Sequence, residues 1–135
     1  GADSAIPAAL KDAELAPPQI DYVNLHGTGT QKNDEMESLA MARVFGGGVP
    51  CSGTKGLTGH ALGAAGAIEA SLCCLAITHG MLPPHVWDGE PDPSLPSLDF
   101  TSVGQVFQAG SMRLCMTNNF AFGGSNVSLV LGPAR

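Results

Sequence analysis

Residues 24–30 read Asn-Leu-His-Gly-Thr-Gly-Thr, and they overlap the end of the short β-rich run at residues 20–25. That run predicts a strand, and the two glycines after it let the backbone turn sharply and come close to a ligand. The strand therefore delivers His26, Thr28 and Thr30 onto one turn. Taken alone, the turn is equally compatible with a strand end whose histidine is merely hydrogen-bonded.

Secondary-structure signals alternate on both sides of this turn. Helical patterns cover residues 4–14, 34–45 and 61–77, and strand-like runs cover 20–25, 49–52, 113–117 and 126–131. Residues 83–98 contain five prolines and predict an extended loop. The last two strands are joined by a glycine-rich turn and predict a β-hairpin. The order α-β-α-β-α followed by a hairpin predicts an α/β fold in layers.

The composition excludes some classes of partner. The 135 residues have a net charge of −6 and only 13% charged side chains, against about 25% in an average globular domain. Acidic residues outnumber basic ones by 12 to 6, so no basic face is available for a nucleic acid. So few charges predict that another protein surface covers much of this one.

The cysteines and the apolar runs bear on location. Cys73 and Cys74 are adjacent, and with Cys51 and Cys115 they show no disulfide or zinc spacing, which predicts four small buried thiols, no metal and a reducing, cytoplasmic compartment. No run reaches the roughly 20 apolar residues of a membrane span. Residue 1 is neither an initiator methionine nor part of a signal-peptide pattern, which predicts either a recombinant fragment or a processed piece.

A second motif, Ser-Gly-Thr-Lys-Gly-Leu-Thr-Gly-His, occupies residues 52–60 after the second strand. Its residue types suit a phosphate loop, but the spacing GxxxxGK[ST] is absent, so a nucleotide site is a weak alternative. The helix at 61–77 has Ala, Gly or Ser at most positions through Ser71, which predicts a central, fully buried helix. Glu69 is costly there unless paired, and Lys55 is the nearest candidate partner.

A third motif, Thr-Asn-Asn-Phe-Ala-Phe-Gly-Gly-Ser-Asn, occupies residues 117–126. Two phenylalanines beside a double glycine predict an aromatic gate on a flexible backbone. The alternative is a hairpin turn that is plugged by aromatic side chains.

In this order, HGTGT, TKxxTGHxxGAAGxxE and NxFxFGGxN resemble the carboxyl-terminal half of a β-ketoacyl-[acyl-carrier-protein] synthase, a condensing enzyme of the thiolase superfamily. The resemblance runs from about residue 21 to residue 131 and is weakest at 85–108. It implies one domain over residues 1–135, a thiolase-like half with a mixed sheet layered with helices and a carboxyl-terminal β-hairpin. It also implies that the nucleophilic cysteine lies in an amino-terminal half that this chain lacks.

The resemblance implies decarboxylative Claisen condensation of an acyl thioester with malonyl-acyl carrier protein, in fatty acid or polyketide synthesis. His26 and His60 match the pair whose neutral imidazoles donate N–H bonds to the enolate oxygen. Lys55 matches a catalytic lysine that forms a buried pair with Glu69, and its charge would disfavour protonation of the histidines.

Further residues are implied in supporting and binding roles. Asp34 and Glu37 would join the Lys55 network, although both also suit ordinary stabilisation of a helix amino terminus. The residues that match the substrate-binding positions of the family are Thr28, Thr30, Phe120, Phe122, Gly123 and Gly124. Ala121 stands where many relatives have glycine, so the gate at Phe122 would move less freely. His79 and His85 match no functional position and are predicted bystanders.

The implied partners are acyl carrier protein, the amino-terminal half of the synthase and a second subunit in a homodimer or heterodimer, with no nucleic acid and no membrane. The resemblance implies no cofactor of the synthase itself, because phosphopantetheine is carried by the acyl carrier protein as part of the substrate. The fragment alone is expected to be inactive. The alternatives are a non-catalytic partner subunit like a chain length factor, a thiolase acting on coenzyme A thioesters, and a structural domain that keeps the motifs as relics. Retention of His26, Lys55 and His60 argues against the first.

Overall fold

The computed structural model describes residues 2–121 and 125–134. Within them the elements follow one another as α1 (Ala2–Asp12), β1 (Tyr22–Asn24), α2 (Gln31–Phe45), β2 (Pro50–Ser52), α3 (Lys55–Thr58), α4 (Ala65–His79), β3 (Asp99–Phe100), β4 (Cys115–Phe120) and β5 (Asn126–Leu131). Short 3₁₀ turns at Pro17–Gln19 and Leu62–Ala64 precede β1 and α4. The predicted alternation and the predicted loop at 83–98 are confirmed.

One mixed sheet forms the middle of the molecule, with the strand order β3-β2-β1-β4-β5. Val23 of β1 pairs in parallel with Cys51 of β2 on one side and with Met116 of β4 on the other. β3 is parallel to β2, and β5 is antiparallel to β4. The mixed sheet and the terminal hairpin are therefore confirmed. Because the four parallel strands point the same way, the segments that leave their carboxyl ends meet at one edge.

Helices cover both faces of this sheet. Alternate strand residues point to opposite faces, and each face has its own core. Val23 and Met116 pack with Ile6 of α1 and Met41 of α2. On the other face, Tyr22 and Cys115 pack with two residues of α4, Cys73 and Ala76. The result is a three-layer α/β arrangement.

Several predicted boundaries shift, and two elements were not predicted. The helix predicted at 34–45 begins at Gln31, the one predicted at 61–77 runs Ala65–His79, and the strand predicted at 113–117 runs Cys115–Phe120. The missed elements are α3, one turn inside the second motif, and β3 with two residues. Neither element is long enough to show the repeating pattern of apolar residues from which a helix or strand is predicted.

The prediction of a fully buried central helix is wrong for the described chain. The buried residues of α4 are Ala65, Glu69, Cys73 and Ala76, which share one stripe facing the sheet. Leu75 on the opposite side is 54% exposed, and Cys74 is exposed rather than buried as predicted. The reason is that the sheet covers only one side of this helix.

By length and composition, Leu62–His79 could cross a membrane, although one such helix is weak evidence. The stretch includes Glu69, whose carboxylate is buried and paired with Lys55. That pairing, together with the stripe packed on the sheet, favours a helix of the α/β layers over a lipid-facing one.

Candidate functional site

The three sequence motifs meet at the carboxyl edge of the sheet. His26 lies two residues beyond Asn24, the last residue of β1, and Lys55 lies three residues beyond Ser52, the last of β2. Phe120 is the last residue of β4, on the other side of β1. Because these strands are neighbours and parallel, side chains far apart in sequence converge without any long loop.

The imidazoles of His26 and His60 lie edge to face, with ring centroids 5.9 Å apart and planes at 88°. The ring of Phe120 stands 5.8 Å from His26 on another side. His26 is buried, and its Nδ1 has no hydrogen-bond partner among the described residues, whereas His60 is exposed and lines a cavity. The structure thus brings the predicted pair together, with one ring fixed inside and one at the rim.

Lys55 and Glu69 form the predicted buried pair. The Nζ atom of Lys55 donates to both carboxylate oxygens of Glu69, at 3.2 Å and 3.0 Å, and also to the carbonyl oxygen of His26. The two side chains are 6% and 2% exposed. Burial raises the pKa of Glu69, while the hydrogen bond and the charge of Lys55 oppose this. The pair therefore ties the turn after β2 both to α4 and to the turn after β1.

The electrostatics keep His26 neutral. Burial, then the positive charge of Lys55, then the proximity of His60 lower the pKa of His26 from 6.5 to about 4. A neutral ring can present an N–H to an anion without itself carrying a charge. This matches the requirement for an oxyanion donor rather than for a cationic partner.

We expect the titration of His26 to be displaced well into the acid range. Its contribution to stability is complete above pH 6.5 and is lost as the pH falls towards about 4, because over that window the unfolded chain binds a proton that the folded chain does not. Nitrogen-15 NMR of the labelled imidazole measures the midpoint directly. A midpoint near 6.5 would contradict the electrostatic account of the site.

Glu37 anchors the turn that follows β1. Its carboxylate accepts the backbone N–H of His26 at 2.6 Å and that of Gly27 at 2.9 Å. Burial raises the pKa of Glu37 to about 7, and the two backbone bonds and Lys55 oppose that shift. Glu37 is the seventh residue of α2, so its role is to anchor the turn and not to stabilise the helix amino terminus.

Asp34 was predicted to join the Lys55 network, but it does not. It lies in the first turn of α2, where an acidic residue favours the helix dipole, and it makes no hydrogen bond with Lys55 or Glu69. Its carboxylate lines the cavity and is close enough to His85 to favour the charged form of that imidazole. Residues 34 and 37 share one side of the helix, and they differ in their positions along its axis, which are about 4.5 Å apart.

A cavity of about 880 Å³ opens beside these groups, between α2 and the segment at residues 85–100, which ends in β3. Thr28, Lys55 and His60 line it. The hydroxyl oxygens of Thr28 and Thr30 are 3.0 Å apart, on the same turn as predicted. The predicted gate residues Phe122, Gly123 and Gly124 lie outside the described residues.

His85, a predicted bystander, lies beside the site and is hydrogen-bonded to one of its turns. Its Nδ1 accepts the backbone N–H of Gly53 at 3.0 Å, and its ring stacks on Phe100 with centroids 4.0 Å apart. Trp87 stands 5.5 Å from the same ring. The only signal in the sequence is a histidine and a tryptophan in a proline-rich loop. No periodicity or local spacing connects that loop to a turn more than 30 residues away.

None of the four cysteines lies at the edge where the motifs meet. Cys51 and Cys115 are buried within strands; burial raises the pKa of Cys51, and a hydrogen bond with Cys73 and burial raise that of Cys115. High thiol pKa values leave little thiolate to act as a nucleophile. Within residues 2–121 and 125–134 there is no group of three or more His, Cys, Asp or Glu side chains arranged for a metal ion.

The fold and the site together define the class of protein. Solved ketosynthases superpose on nearly the whole chain: a β-ketoacyl synthase from Burkholderia phymatum covers 99% of it at 40% identity with a TM-score of 0.89. The architecture is therefore the thiolase-like fold of condensing enzymes. Residues 1–87 match the family described as beta-ketoacyl synthase, C-terminal domain, and the chain belongs to that family.

Individual relatives extend this similarity to the rest of the chain. Nodulation protein E of Rhizobium leguminosarum bv. trifolii is 45% identical over 96% of the chain, and the mitochondrial 3-oxoacyl-[acyl-carrier-protein] synthase of Arabidopsis thaliana is 42% identical over 96%. A chain from the complex of a Xenorhabdus doucetiae ketosynthase with its chain length factor matches 99% of the chain at 47% identity and a TM-score of 0.90. The chain spans about a third of the length of these relatives, namely 32%, 29% and 33%.

Proposed function

We propose that this chain supplies the carboxyl-terminal part of the active site of a 3-oxoacyl-[acyl-carrier-protein] synthase, an acyltransferase that elongates acyl chains in fatty acid or polyketide synthesis. The observation that carries the proposal is the pairing of His26 with His60 beside the buried Lys55–Glu69 pair. Two imidazole N–H donors so close together suit a reaction that develops negative charge on an oxygen.

The chemistry follows from that charge. When malonyl thioester loses carbon dioxide, the electrons of the broken C–C bond move onto the thioester carbonyl, and an enolate forms. The imidazoles of His26 and His60 donate to the enolate oxygen, and one such donor contributes about 3 kcal/mol to the transition state. The enolate carbon then attacks the acyl thioester, a new C–C bond forms, and the thiolate that carried the acyl group leaves.

The nucleophile for the acyl group is proposed to come from the amino-terminal half of the complete synthase. The positions and raised pKa values of Cys51 and Cys115 support this, as does the placement of Cys73 and Cys74 on α4, away from the site edge. The exposed apolar side of α4, with Leu75, and the neighbouring exposed Val127 and Leu129 of β5 give that half a surface to cover.

The same proposal assigns a domain, partners and a location. The domain extends over residues 1–135, which the near-complete coverage by relatives supports. The partners are acyl carrier protein, which brings phosphopantetheine as part of the substrate, and a second subunit in a dimer. Thr28 and Thr30, beside the cavity, are proposed to bind the phosphopantetheine arm. No further cofactor is proposed, and the buried thiols suit a cytoplasmic location.

A non-catalytic subunit like a chain length factor is the second candidate, because the solved ketosynthase complex contains such a partner. A subunit without catalysis has no need to place two imidazoles side by side or to hold His26 neutral, and both features are present here. These two observations favour the catalytic assignment.

Assay of the complete synthase and of this chain alone tests the proposed function. We expect the complete synthase to form 3-oxoacyl product from an acyl thioester and malonyl-acyl carrier protein, because only it holds both the nucleophile and the histidine pair. The chain alone is expected to form none. Product from the isolated chain would overturn the division of the site, and a complete protein that neither decarboxylates nor condenses would overturn the assignment.

A further inference from the structure

The segment Pro83-Pro84-His85 crosses the carboxyl ends of β2 and β3 and is fastened to both. The carbonyl oxygen of Pro83 accepts the hydroxyl of Ser52 at 2.9 Å and that of Thr101 at 2.6 Å. The backbone N–H of His85 donates to the carbonyl oxygen of Thr101 at 3.0 Å. These hydrogen bonds fix the backbone that carries the His85 side chain beside the site.

The imidazole itself is held in one orientation. It lies flat on Phe100, with the two planes 9° apart, and Trp87 packs edge-on against Phe100 at 4.9 Å. In this orientation Nδ1 points at the turn after β2 and accepts the N–H of Gly53 at 3.0 Å. Only an unprotonated Nδ1 can accept such a bond, and burial of His85 lowers its pKa while Asp34 opposes this.

Gly53 is the point where the two catalytic turns touch. Gly27, with φ +52°, approaches so closely that a Cβ added to it would lie 3.2 Å from the Cα of Gly53. Gly53 therefore contacts both Gly27 and His85. Two residues further on, Lys55 donates to the carbonyl oxygen of His26, so a shift of Gly53 changes the distance between Lys55 and His26.

We propose that His85 is a positioning residue for condensation: by accepting the Gly53 N–H, it keeps the turn that carries Lys55 seated against the turn that carries His26. The inference rests on the proposed function, since it concerns the same site. In this proposal the hydrogen bond accepted at Nδ1 of His85 maintains the geometry between Lys55 and His26. The ring of His85 contributes only packing against Phe100.

Two matched variants in the complete synthase separate these contributions. His85→Phe keeps a ring to stack on Phe100 but removes the acceptor, and His85→Asn places an amide oxygen near the position of Nδ1 but removes the ring. We expect His85→Phe to lower kcat for malonyl decarboxylation about 10- to 100-fold, with KM little changed, because small displacements of catalytic groups have effects of this size. We expect His85→Asn to keep kcat close to that of the wild type while its Tm falls.

A second measurement does not depend on turnover. The charge of Lys55 lowers the pKa of His26, so NMR titration should give a higher His26 midpoint in His85→Phe and an unchanged one in His85→Asn. Should His85→Phe fail to fold, His85→Leu, which also lacks an acceptor, serves in its place. A wild-type synthase without decarboxylation would refute the proposed function, while the NMR titration would still decide the role of His85. An unchanged His26 midpoint in His85→Phe, or kcat that follows Tm in both variants, would overturn the positioning role.

Discussion

Replacing His60 with alanine in the complete synthase is expected to lower the rate of malonyl decarboxylation about 100- to 1000-fold, the effect of removing one preorganised donor to a developing oxyanion. The ring of His60 is 5.9 Å from that of His26 and lines the open cavity, so its removal leaves His26 as one donor of the pair. Since His60 is exposed, we expect little change in the free energy of unfolding.

The acyl-transfer step provides the internal control for His60→Ala. Loading of the acyl group onto the nucleophile does not form the malonyl enolate, so it should persist in the variant. His79→Ala provides the external control, because His79 is exposed in the last turn of α4. Equal losses of loading and decarboxylation, or equal losses in the His79 variant, would show that His60 is not an enolate donor.

Replacing Glu69 with alanine is expected to destabilise the protein by about 3–5 kcal/mol, because it leaves the ammonium of Lys55 buried without its partner. The Lys55–Glu69 side chains are 6% and 2% exposed, so water cannot substitute for the lost carboxylate. Urea unfolding measures the change. We also expect condensation to be lost, since Lys55 would no longer be held beside His26.

A double variant and a surface pair serve as controls for this second prediction. Replacing both partners, Lys55→Met with Glu69→Leu, removes both charges and should be more stable than Glu69→Ala alone. Asp3→Ala breaks the ion pair between Asp3 and Arg43, whose atoms are 2.6 Å apart and whose side chains are 57% and 64% exposed. It should change the free energy of unfolding by less than about 1 kcal/mol. A loss for Glu69→Ala as small as that for Asp3→Ala would contradict the account of a buried pair.

The sequence was most informative where chemistry and local structure coincide. The turns after β1 and β2 each combine a polar residue that suits catalysis with glycines that permit the bend, so their place at strand ends could be predicted. The pairing of Lys55 with Glu69 could also be predicted, since a carboxylate in an apolar helix requires a partner. In each case the physical constraint acts within a short segment.

Other features depend on contacts that no short segment contains. Asp34 and Glu37 both looked like helix-start acids, yet Glu37 reaches back 11 residues to the His26 N–H and Asp34 does not enter the network. The burial of α4 was overestimated because a pattern of small residues does not reveal how many sides of a helix are covered. The contact between His85 and Gly53 joins residues that are 32 positions apart in the sequence.

By itself, the sequence determined the order of elements, the glycine turns and the residue types that the chemistry needs, because propensity, periodicity and the cost of a buried charge act locally. Only the tertiary structure decided which of those residues meet. Parallel pairing of β1 with β2 and β4 brings Lys55 and Phe120 to His26, and the proline-rich loop before β3 adds His85 from outside the motifs. Such distances are set by strand register and layer packing, which emerge from the whole chain.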